Sequence, residues 1–490
     1  MSLTTALNIA QSALFNTTRQ TTVVSQNITN SGNPDYARRS ATIVSTAPGA
    51  TVVNIQRTTS DVLFRSNMKA LSSYEGQNTL LNGMQNLGLA VNGVDNAGSA
   101  ASALGDFQQA LNLYSAAPSN ASLGENTVES ARQLVRNLND GTNAIQSFRT
   151  DMDNQISQAV SDLNNLLNSF DQANRTVVAG NQTGADVSDA QDQRDGLLKQ
   201  ISQYVSISAI KRDNGDMMLV TSGGATLYET VPRTVTFEPV AGYDATTAGN
   251  AIKIDGVPLS AGTGGNTTAS GRLAAMVQLR DSTATTMQSQ LDEIARGLIN
   301  AFAETDPSDP TATAGKTPGL FTWDGAPAMP ADGTLDAGLA GRIKINPAMD
   351  STVGGSALVL RDGGGGGAGY VANPPPGNAS FSNLLIRYSQ NLDKPIAFDP
   401  AAGAGSNASV MTYSTNAISS FEAARKNASD AADNKNALMT RTQQTLSNST
   451  GVNIDEEMSM MLDLEHSYQA SARMISTVDN MLAALMNAIH

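Results

Sequence analysis

The chain has 490 residues, a net charge of −14 and no cysteine. The absence of cysteine excludes disulfides, thiolate metal ligands and a cysteine nucleophile, and the acidic charge argues against nucleic acid and anionic membranes as partners, because both would repel such a surface. Hydrophobic residues make up 40% of the chain but aromatic residues only 4%, a composition that favours packed helices over a large β-sandwich.

The first thirty residues predict an amphipathic helix with a heptad seam, because apolar and small residues recur at alternating spacings of four and three. This stretch lacks the basic region, the unbroken apolar core and the cleavage motif of a secretory signal. No run of about 18 apolar residues occurs, so the sequence predicts no membrane span. The N-terminal seam is Leu3, Leu7, Ala10, Leu14, Thr17, Thr21, Val24 and Ile28.

Four further segments have helical periodicity: 61–92, 122–180, 272–304 and 408–449. The second would form a helix on the order of 85 Å long at about 1.5 Å per residue, in which only Arg149 interrupts the apolar seam. Such a length is typical of a rod-shaped bundle, and 408–449 would provide a similar antiparallel partner.

The middle of the chain has a different pattern. From Tyr204 to about Gly271 polar and apolar residues alternate, and the Asn214-Gly215 step between two β-prone runs predicts a hairpin. Glycine and proline dominate from Pro307 to Pro376. We therefore predict a mainly α protein with an inserted β domain: terminal coiled-coil helices, an elongated α-helical bundle domain, and a loop-rich β domain at the middle of the chain. The predicted bounds are 1–32 and 451–490 for the terminal helical assembly domain, 33–185, 272–306 and 380–450 for the elongated domain, and 186–271 and 307–379 for the β-rich outer domain.

The last forty residues predict a second heptad helix, with acids in its first turn. Residues 451–490 hold six acids against Arg473, a net charge of −5, whereas residues 1–60 hold four arginines against Asp35, a net charge of +3. A single helix cannot bury its own apolar seam, so each of these two helices needs a partner. The two helices could pair with each other as an intramolecular hairpin or pack against neighbouring subunits. The C-terminal seam is Ile454, Met458, Met461, Glu465, Tyr468, Ala472, Ile475, Asp479, Leu482, Met486 and Ile489.

Side chains suited to catalysis are scarce. Only His466 and the C-terminal His490 could act as imidazole bases, and His466 reads as a surface residue of the last helix. The glycine run at 363–367 does not follow the spacing of a phosphate-binding loop. We therefore predict no enzyme activity, and no catalytic, cofactor-binding or metal-binding residues.

Short motifs near both ends resemble one family. The segment SQNITN at 25–30, followed by NPDY at 33–36, resembles the N-terminal signature of the flagellar rod, hook and hook-associated axial proteins. The segment 455–482 is similar to the C-terminal helix of that family, and DAQDQRDGLL at 189–198 looks like its hook-associated members. Many members have glycine where this chain has Asp35, which favours a type I over a type II turn.

The resemblance implies a structural subunit at the junction between hook and filament. Its terminal helices would form an inner tube in a ring of identical subunits, with hook protein on one side and a second junction protein or flagellin on the other. A cytoplasmic chaperone would hold the C-terminal helix before type III export, without a cleaved signal, to the extracellular flagellum. A hook or rod protein of the same family and a secreted adhesin remain as alternatives, and a wall hydrolase would lack a credible acid pair. The predicted assembly interface consists of Leu3, Leu7, Leu14, Val24, Asn27, Ile28, Asn30, Tyr36, Ile454, Met458, Met461, Tyr468, Ala472, Ile475, Leu482, Met486 and Ile489.

Overall fold

The computed structural model describes residues 3–46, 49–259, 270–308 and 315–488, and most of these are helical. Within them, no helix combines the length and the apolar character that crossing a bilayer requires. The helices are α1 (Leu3–Thr29), α2 (Asp61–Asn92), α3 (Ala100–Ala116), α4 (Ala121–Thr183), α5 (Ser188–Tyr204), α6 (Arg272–Gln278), α7 (Ala284–Ala301), α8 (Leu358–Asp362), α9 (Asn383–Asp393), α10 (Val410–Thr450) and α11 (Ile454–Ala488).

The strands are short and form small antiparallel sheets. A two-stranded hairpin follows α1, two three-stranded sheets follow α5, and the remaining pairs have two residues per strand. The strands are β1 (Arg39–Thr46), β2 (Gly49–Arg57), β3 (Ile207–Lys211), β4 (Met217–Thr221), β5 (Thr226–Tyr228), β6 (Val235–Thr236), β7 (Lys253–Ile254), β8 (Val257–Pro258), β9 (Glu304–Thr305), β10 (Lys316–Thr317), β11 (Phe321–Thr322), β12 (Lys344–Ile345), β13 (Ile396–Ala397) and β14 (Asn407–Ala408).

The predicted fold class is confirmed, and most long elements lie where periodicity placed them. Helix α4 has 63 residues and begins after Asn120, whose side chain accepts a hydrogen bond from the Ser122 amide. The hairpin predicted at Asn214-Gly215 joins β3 to β4, and Gly215 has the positive φ of 86° that such a turn requires. The helix predicted over 272–304 is interrupted, because residues 279–283 form a π turn between α6 and α7.

The sequence did not predict α3, α9 or the β1–β2 hairpin. Helix α3 follows a glycine-rich stretch, which obscures its start, yet it buries Leu104, Phe107 and Leu111 completely. The hairpin is a strand pair whose contacts lie on α1 and α5, so its position depends on tertiary partners rather than on local periodicity.

Two hydrophobic clusters form the centre of the molecule. The first joins the N-terminal half of α4 to α2, α3, α7, α9 and α10. Phe302 lies among other aromatic rings of this cluster: its ring centroid is 5.3 Å from that of Phe107, 5.1 Å from that of Phe321 and 4.8 Å from that of Tyr388. The second cluster joins the C-terminal half of α4 to α5 and β4. One long helix therefore connects both cores.

The two segments predicted to form one β-rich domain pack on different clusters. Leu320, Phe321 and Leu360 belong to the first cluster, whereas Leu219 and Ile254 belong to the second. The division of the chain into domains stays a prediction.

Arg149, the residue expected to interrupt the α4 seam, is buried, and each of its three guanidinium nitrogens donates a hydrogen bond. Its guanidinium donates to the carbonyl oxygens of Arg280 at 3.2 Å, Asp244 at 2.9 Å and Thr247 at 2.6 Å. Loop carbonyls thus compensate the desolvated charge, which is how the helix keeps an arginine on its buried face.

Candidate assembly site at the terminal helices

Helices α1 and α11 pack against each other at the two ends of the chain. On α1 the buried residues Ala10, Thr17 and Val24 recur every seven positions, as the heptad seam predicted. On α11 the buried residues also recur every seven positions, at Glu457, Leu464, Ser471 and Val478. The intramolecular pairing that the sequence left open is therefore present, and each helix covers one stripe of the other.

Asn27 lies where the end of α1 meets the start of α11. Its Nδ2 donates to Arg39 O and to Glu457 Oε2, both at 2.9 Å. Its Oδ1 accepts from Tyr36 OH at 2.8 Å and from Arg39 N at 3.0 Å. A side-chain amide has two donor hydrogens and two acceptor lone pairs, so every bond it can form is made. We call Asn27, Tyr36 and Glu457 with the Arg39 backbone the asparagine node.

Glu457 is buried and also binds the turn after α1. Its Oε1 accepts from Arg38 Nε at 2.7 Å, and the Arg38 amide donates to Thr450 O, the last residue of α10, at 2.8 Å. The start of α11 is therefore held against both the N-terminal turn and the preceding helix. Because Asn27 lies opposite Glu457, the two terminal helices run antiparallel.

Three aspartates of α5 hold the same turn from the other side. Arg39 Nη2 lies 2.6 Å from Asp189 Oδ1 and 2.8 Å from Asp192 Oδ2. Arg57, at the end of β2, lies 2.6 Å from Asp192 Oδ1 and 2.6 Å from Asp195 Oδ2. The aspartates are spaced three residues apart, so they share one helix face. We call these five residues the arginine–aspartate clamp.

Tyr36 connects the node to the clamp. The Arg39 guanidinium carbon lies 4.7 Å from the centroid of the Tyr36 ring, a cation–π distance. Burial raises the pKa of Tyr36 to about 12, although the neighbouring Arg39 charge lowers it in part. The phenol therefore stays protonated at neutral pH and can donate its hydrogen to Asn27.

The β1–β2 hairpin fixes α1 further along its length. The Val52 amide donates to Asn16 Oδ1 at 3.0 Å, and Arg19 Nη1 donates to Val52 O at 3.3 Å. Among the described residues, neither central hydrophobic cluster contains a residue of α1 or α11. A cavity of about 820 Å³ lies beside the clamp and is lined in part by Arg57, Asp195 and Lys199. Polar contacts, rather than a shared apolar core, connect that layer to the centre.

The predicted interface residues fall into three groups. Val24, Asn27 and Tyr36 are buried in the monomer, and Ile489 lies outside the described residues. Leu3, Leu7, Leu14, Ile28, Asn30, Met461 and Ile475 are half-buried between the helices or beside the turn; Ile454, Met458, Tyr468, Ala472, Leu482 and Met486 are exposed.

Sequence reasoning missed part of the face of α11 that contacts α1. That face contains Glu457 and Ser471, two polar residues that an apolar count overlooks, and the asparagine node turns Glu457 rather than Met458 toward α1. It also missed the clamp. The three aspartates at a spacing of three were the signal available, whereas Arg39 and Arg57 stand apart in the sequence.

Asp35, at the position where the resemblance implies glycine, keeps a negative φ, as the predicted type I turn requires. The Asn33 side chain accepts from the Asp35 amide at 3.0 Å, and Lys199 Nζ lies 2.8 Å from Asp35 Oδ1. The aspartate thus adds a contact to α5 that glycine would lack.

The sequence is similar to that of known proteins. Residues 81–317 match the family described as the flagellar hook-associated protein FlgK helical domain, and residues 442–488 match the flagellar basal body rod FlgEFG protein C-terminal family. Flagellar hook-associated protein 1 of Bacillus subtilis (strain 168) is 22% identical over 443 residues, which cover 86% of this chain and 80% of that protein.

The fold is also similar to a solved structure. The flagellar hook junction protein FlgK from Burkholderia pseudomallei superposes with a TM-score of 0.56 at 12% identity, covering 78% of this chain and 99% of the other. At that identity the likeness concerns the fold alone. The two matched families in chain order and the relative along most of the sequence lead to one conclusion: the chain belongs to the flagellar hook-associated protein family.

Proposed function

We propose that this chain is a structural subunit of the bacterial flagellum at the junction between hook and filament, and that copies join one another through α1 and α11. The observation that carries the self-assembly proposal is the exposed apolar surface of α11. Ile454, Met458, Leu462, Leu485 and Met486 are each at least half exposed. An apolar surface of this extent on a polar protein is typical of a protein–protein interface.

The geometry of the pair explains why this surface needs further neighbours. Asn27 lies opposite Glu457, so Leu3 lies opposite about residue 481, since both helices rise about 1.5 Å per residue. Leu482 and Met486 lie at and beyond the end of α1, and they are 37% and 60% exposed. An apolar helix end with nothing packed on it is weakly stable alone. Neighbouring copies that cover it would complete the layer.

The finer partners follow from family membership and from this surface. Hook protein would contact the ring of copies on one side, and a second junction protein or flagellin on the other. Before export, a cytoplasmic chaperone would cover the same apolar face of α11. The assembled protein would lie outside the cell, in the flagellum, and its role would be mechanical rather than enzymatic.

The first test is deletion of the gene, with electron microscopy of the cells and an assay of flagellin in the medium. We expect hooks of normal shape without filaments, and monomeric flagellin outside the cells. Missing hooks would favour a rod or hook protein, an alternative to which the match of residues 442–488 also points. Intact filaments would contradict the axial role.

A second test changes the surface itself. Leu482→Asp with Met486→Asp should abolish complementation of the deletion strain, because burying two carboxylates in an apolar interface costs several kcal/mol, on the order of 3 or more. Val94→Asp is the matched control, since Val94 is 68% exposed but lies just after the C-terminal end of α2. Normal motility of the double variant would contradict assembly through this helix.

A further inference from the structure

The exposed methionines of the chain are concentrated in one helix. The sequence has 18 methionines, and six of them lie in the 35 residues of α11. Among the described residues, the methionines whose side chains are strongly exposed all lie in α11. They are Met458, Met460, Met474, Met481 and Met486, with exposed fractions between 43% and 60%.

Outside α11, the described methionines are buried or half-buried. Met68, Met84, Met217 and Met349 are exposed by 2% or less. They lie in the central clusters, where a flexible thioether fills irregular space. The exposed methionines of α11 and these four buried methionines have the same side chain but differ in solvent access. The buried ones therefore serve as an internal control.

Three of the exposed methionines form a stripe. Met460 and Met474 are two heptads apart and Met481 is one heptad further, so they lie along one line of the helix. Each follows a heptad position of the buried seam, Glu457, Ser471 or Val478, by three residues. The stripe therefore runs directly beside the contact with α1, and Leu485 continues it one turn further.

We propose that the five exposed methionines of α11 form an oxidation site that controls assembly, with a peroxide as the co-reactant. In the reaction the thioether sulfur attacks one oxygen of hydrogen peroxide and the O–O bond breaks. A sulfur–oxygen bond forms, and the remaining oxygen leaves as water after taking up the transferred proton. Sulfur loses two electrons and the peroxide gains them, so no further reagent is needed.

The product is unsuited to the same interface. Methionine sulfoxide is polar and needs a hydrogen-bond donor when it is buried. The stripe has the apolar residues Leu485 and Val478 as neighbours along the helix. Each buried sulfoxide without a donor should weaken association about ten-fold or more. Assembled copies would cover the stripe, so the free subunit is the sensitive form.

This inference rests on the proposed assembly role of α11, and its first test does not depend on that role. The purified full chain is treated with hydrogen peroxide, and sulfoxide at each methionine is followed by peptide mass spectrometry. We expect Met460, Met474 and Met481 to oxidise at least about ten-fold faster than Met84 and Met349 in the same sample, because access controls the reaction. Equal rates in the two populations would overturn the proposal.

The second test measures assembly. Hooks are isolated from a strain lacking the gene, and the fraction of purified chain that cosediments with them is compared before and after peroxide. We expect the wild type to lose at least about ten-fold of its binding. A variant with leucine at positions 458, 460, 474, 481 and 486 should keep its binding after the same treatment.

Reduction provides a measurement that needs no variant. Methionine sulfoxide reductases should restore binding to the oxidised wild type, because they return the sulfur to the thioether. Binding that survives oxidation, or that the reductases do not restore, would overturn the proposal. Failure of the untreated wild type to bind hooks would instead count against the proposed function.

Discussion

Asn27 Nδ2 donates a hydrogen bond of 2.9 Å to Glu457 Oε2, and 430 residues of sequence separate the two partners. This contact connects the N-terminal and C-terminal parts of the chain, because it joins the end of α1 to the start of α11. It also sets which face of α11 contacts α1, and hence which apolar residues remain outside. The motif residue Asn27 thus has a physical role within the monomer.

Asn27→Ala should loosen the terminal layer. The change leaves Tyr36 OH, the Arg39 amide and one oxygen of Glu457 buried without their partner, at a cost of about 2–4 kcal/mol. Hydrogen exchange of the α1 and α11 amides should accelerate accordingly, while α4 keeps its protection. Asn8→Ala is the control, since Asn8 is exposed on the same helix. Equal exchange in the two variants would contradict the role of the node.

Asp192→Ala should destabilise the attachment of the N-terminal turn to α5. Asp192 pairs with both Arg39 and Arg57, whose side chains are 4% and 10% exposed. Leaving these charges buried with fewer partners should cost about 2–4 kcal/mol. Hydrogen exchange in β1 and β2 measures the loss. Asp189→Ala removes a partner of Arg39 that is 93% exposed, so it should cost less than about 0.5 kcal/mol. A larger effect at Asp189 than at Asp192 would be inconsistent with a buried clamp.

Gly366→Ala should destabilise the first hydrophobic cluster. The Gly365 and Gly366 amides donate to the buried Glu304 carboxylate at 3.1 and 2.8 Å. A Cβ at Gly366 would overlap Thr317 Cγ2, so one of them must shift, at a cost of about 1–3 kcal/mol. Urea denaturation measures the change. At Gly369 a Cβ would meet no atom within 4 Å, so Gly369→Ala should leave the midpoint nearly unchanged. Equal midpoints for both variants would contradict the close packing at Gly366.

Asp292 should make the stability of the helical core depend on pH. Burial raises the pKa of this carboxyl to about 6, although hydrogen bonds from the Ala340 and Gly338 amides and from Gln288 lower it in part. The folded state therefore holds the proton more tightly than the unfolded chain. This contribution to stability is complete below the unfolded pKa of 3.8 and is lost as the pH rises through about 6.

Between about pH 5 and 7 the loss should be about 1 kcal/mol. Urea denaturation of the wild type and of Asp292→Asn over this range isolates the effect, since asparagine does not titrate. The variant should show the smaller decrease in stability with pH. Parallel curves would mean that the Asp292 pKa does not differ between the folded and unfolded states.

Local patterns in the sequence determined the long helices and the hairpin. Apolar residues of α2, α4 and α10 recur at helical spacing, and Asn214-Gly215 between β-prone runs specifies a turn without reference to the rest of the chain. The seam of α1 followed from the same rule, because Ala10, Thr17 and Val24 are small or apolar at heptad positions. These features depend on neighbours within one or two turns, so the sequence alone expresses them.

The tertiary structure determines which residues of distant segments contact each other. The seam of α11 includes Glu457 and Ser471, and their burial is intelligible only once Asn27, Arg38 and α1 are in place. The π turn at 279–283 holds Arg280 against Asp153 at 2.6 Å, a pair separated by 127 residues. A polar residue is buried where a distant partner compensates its desolvation. That partner cannot be identified from periodicity, so the faces left free for assembly emerged only from the folded chain.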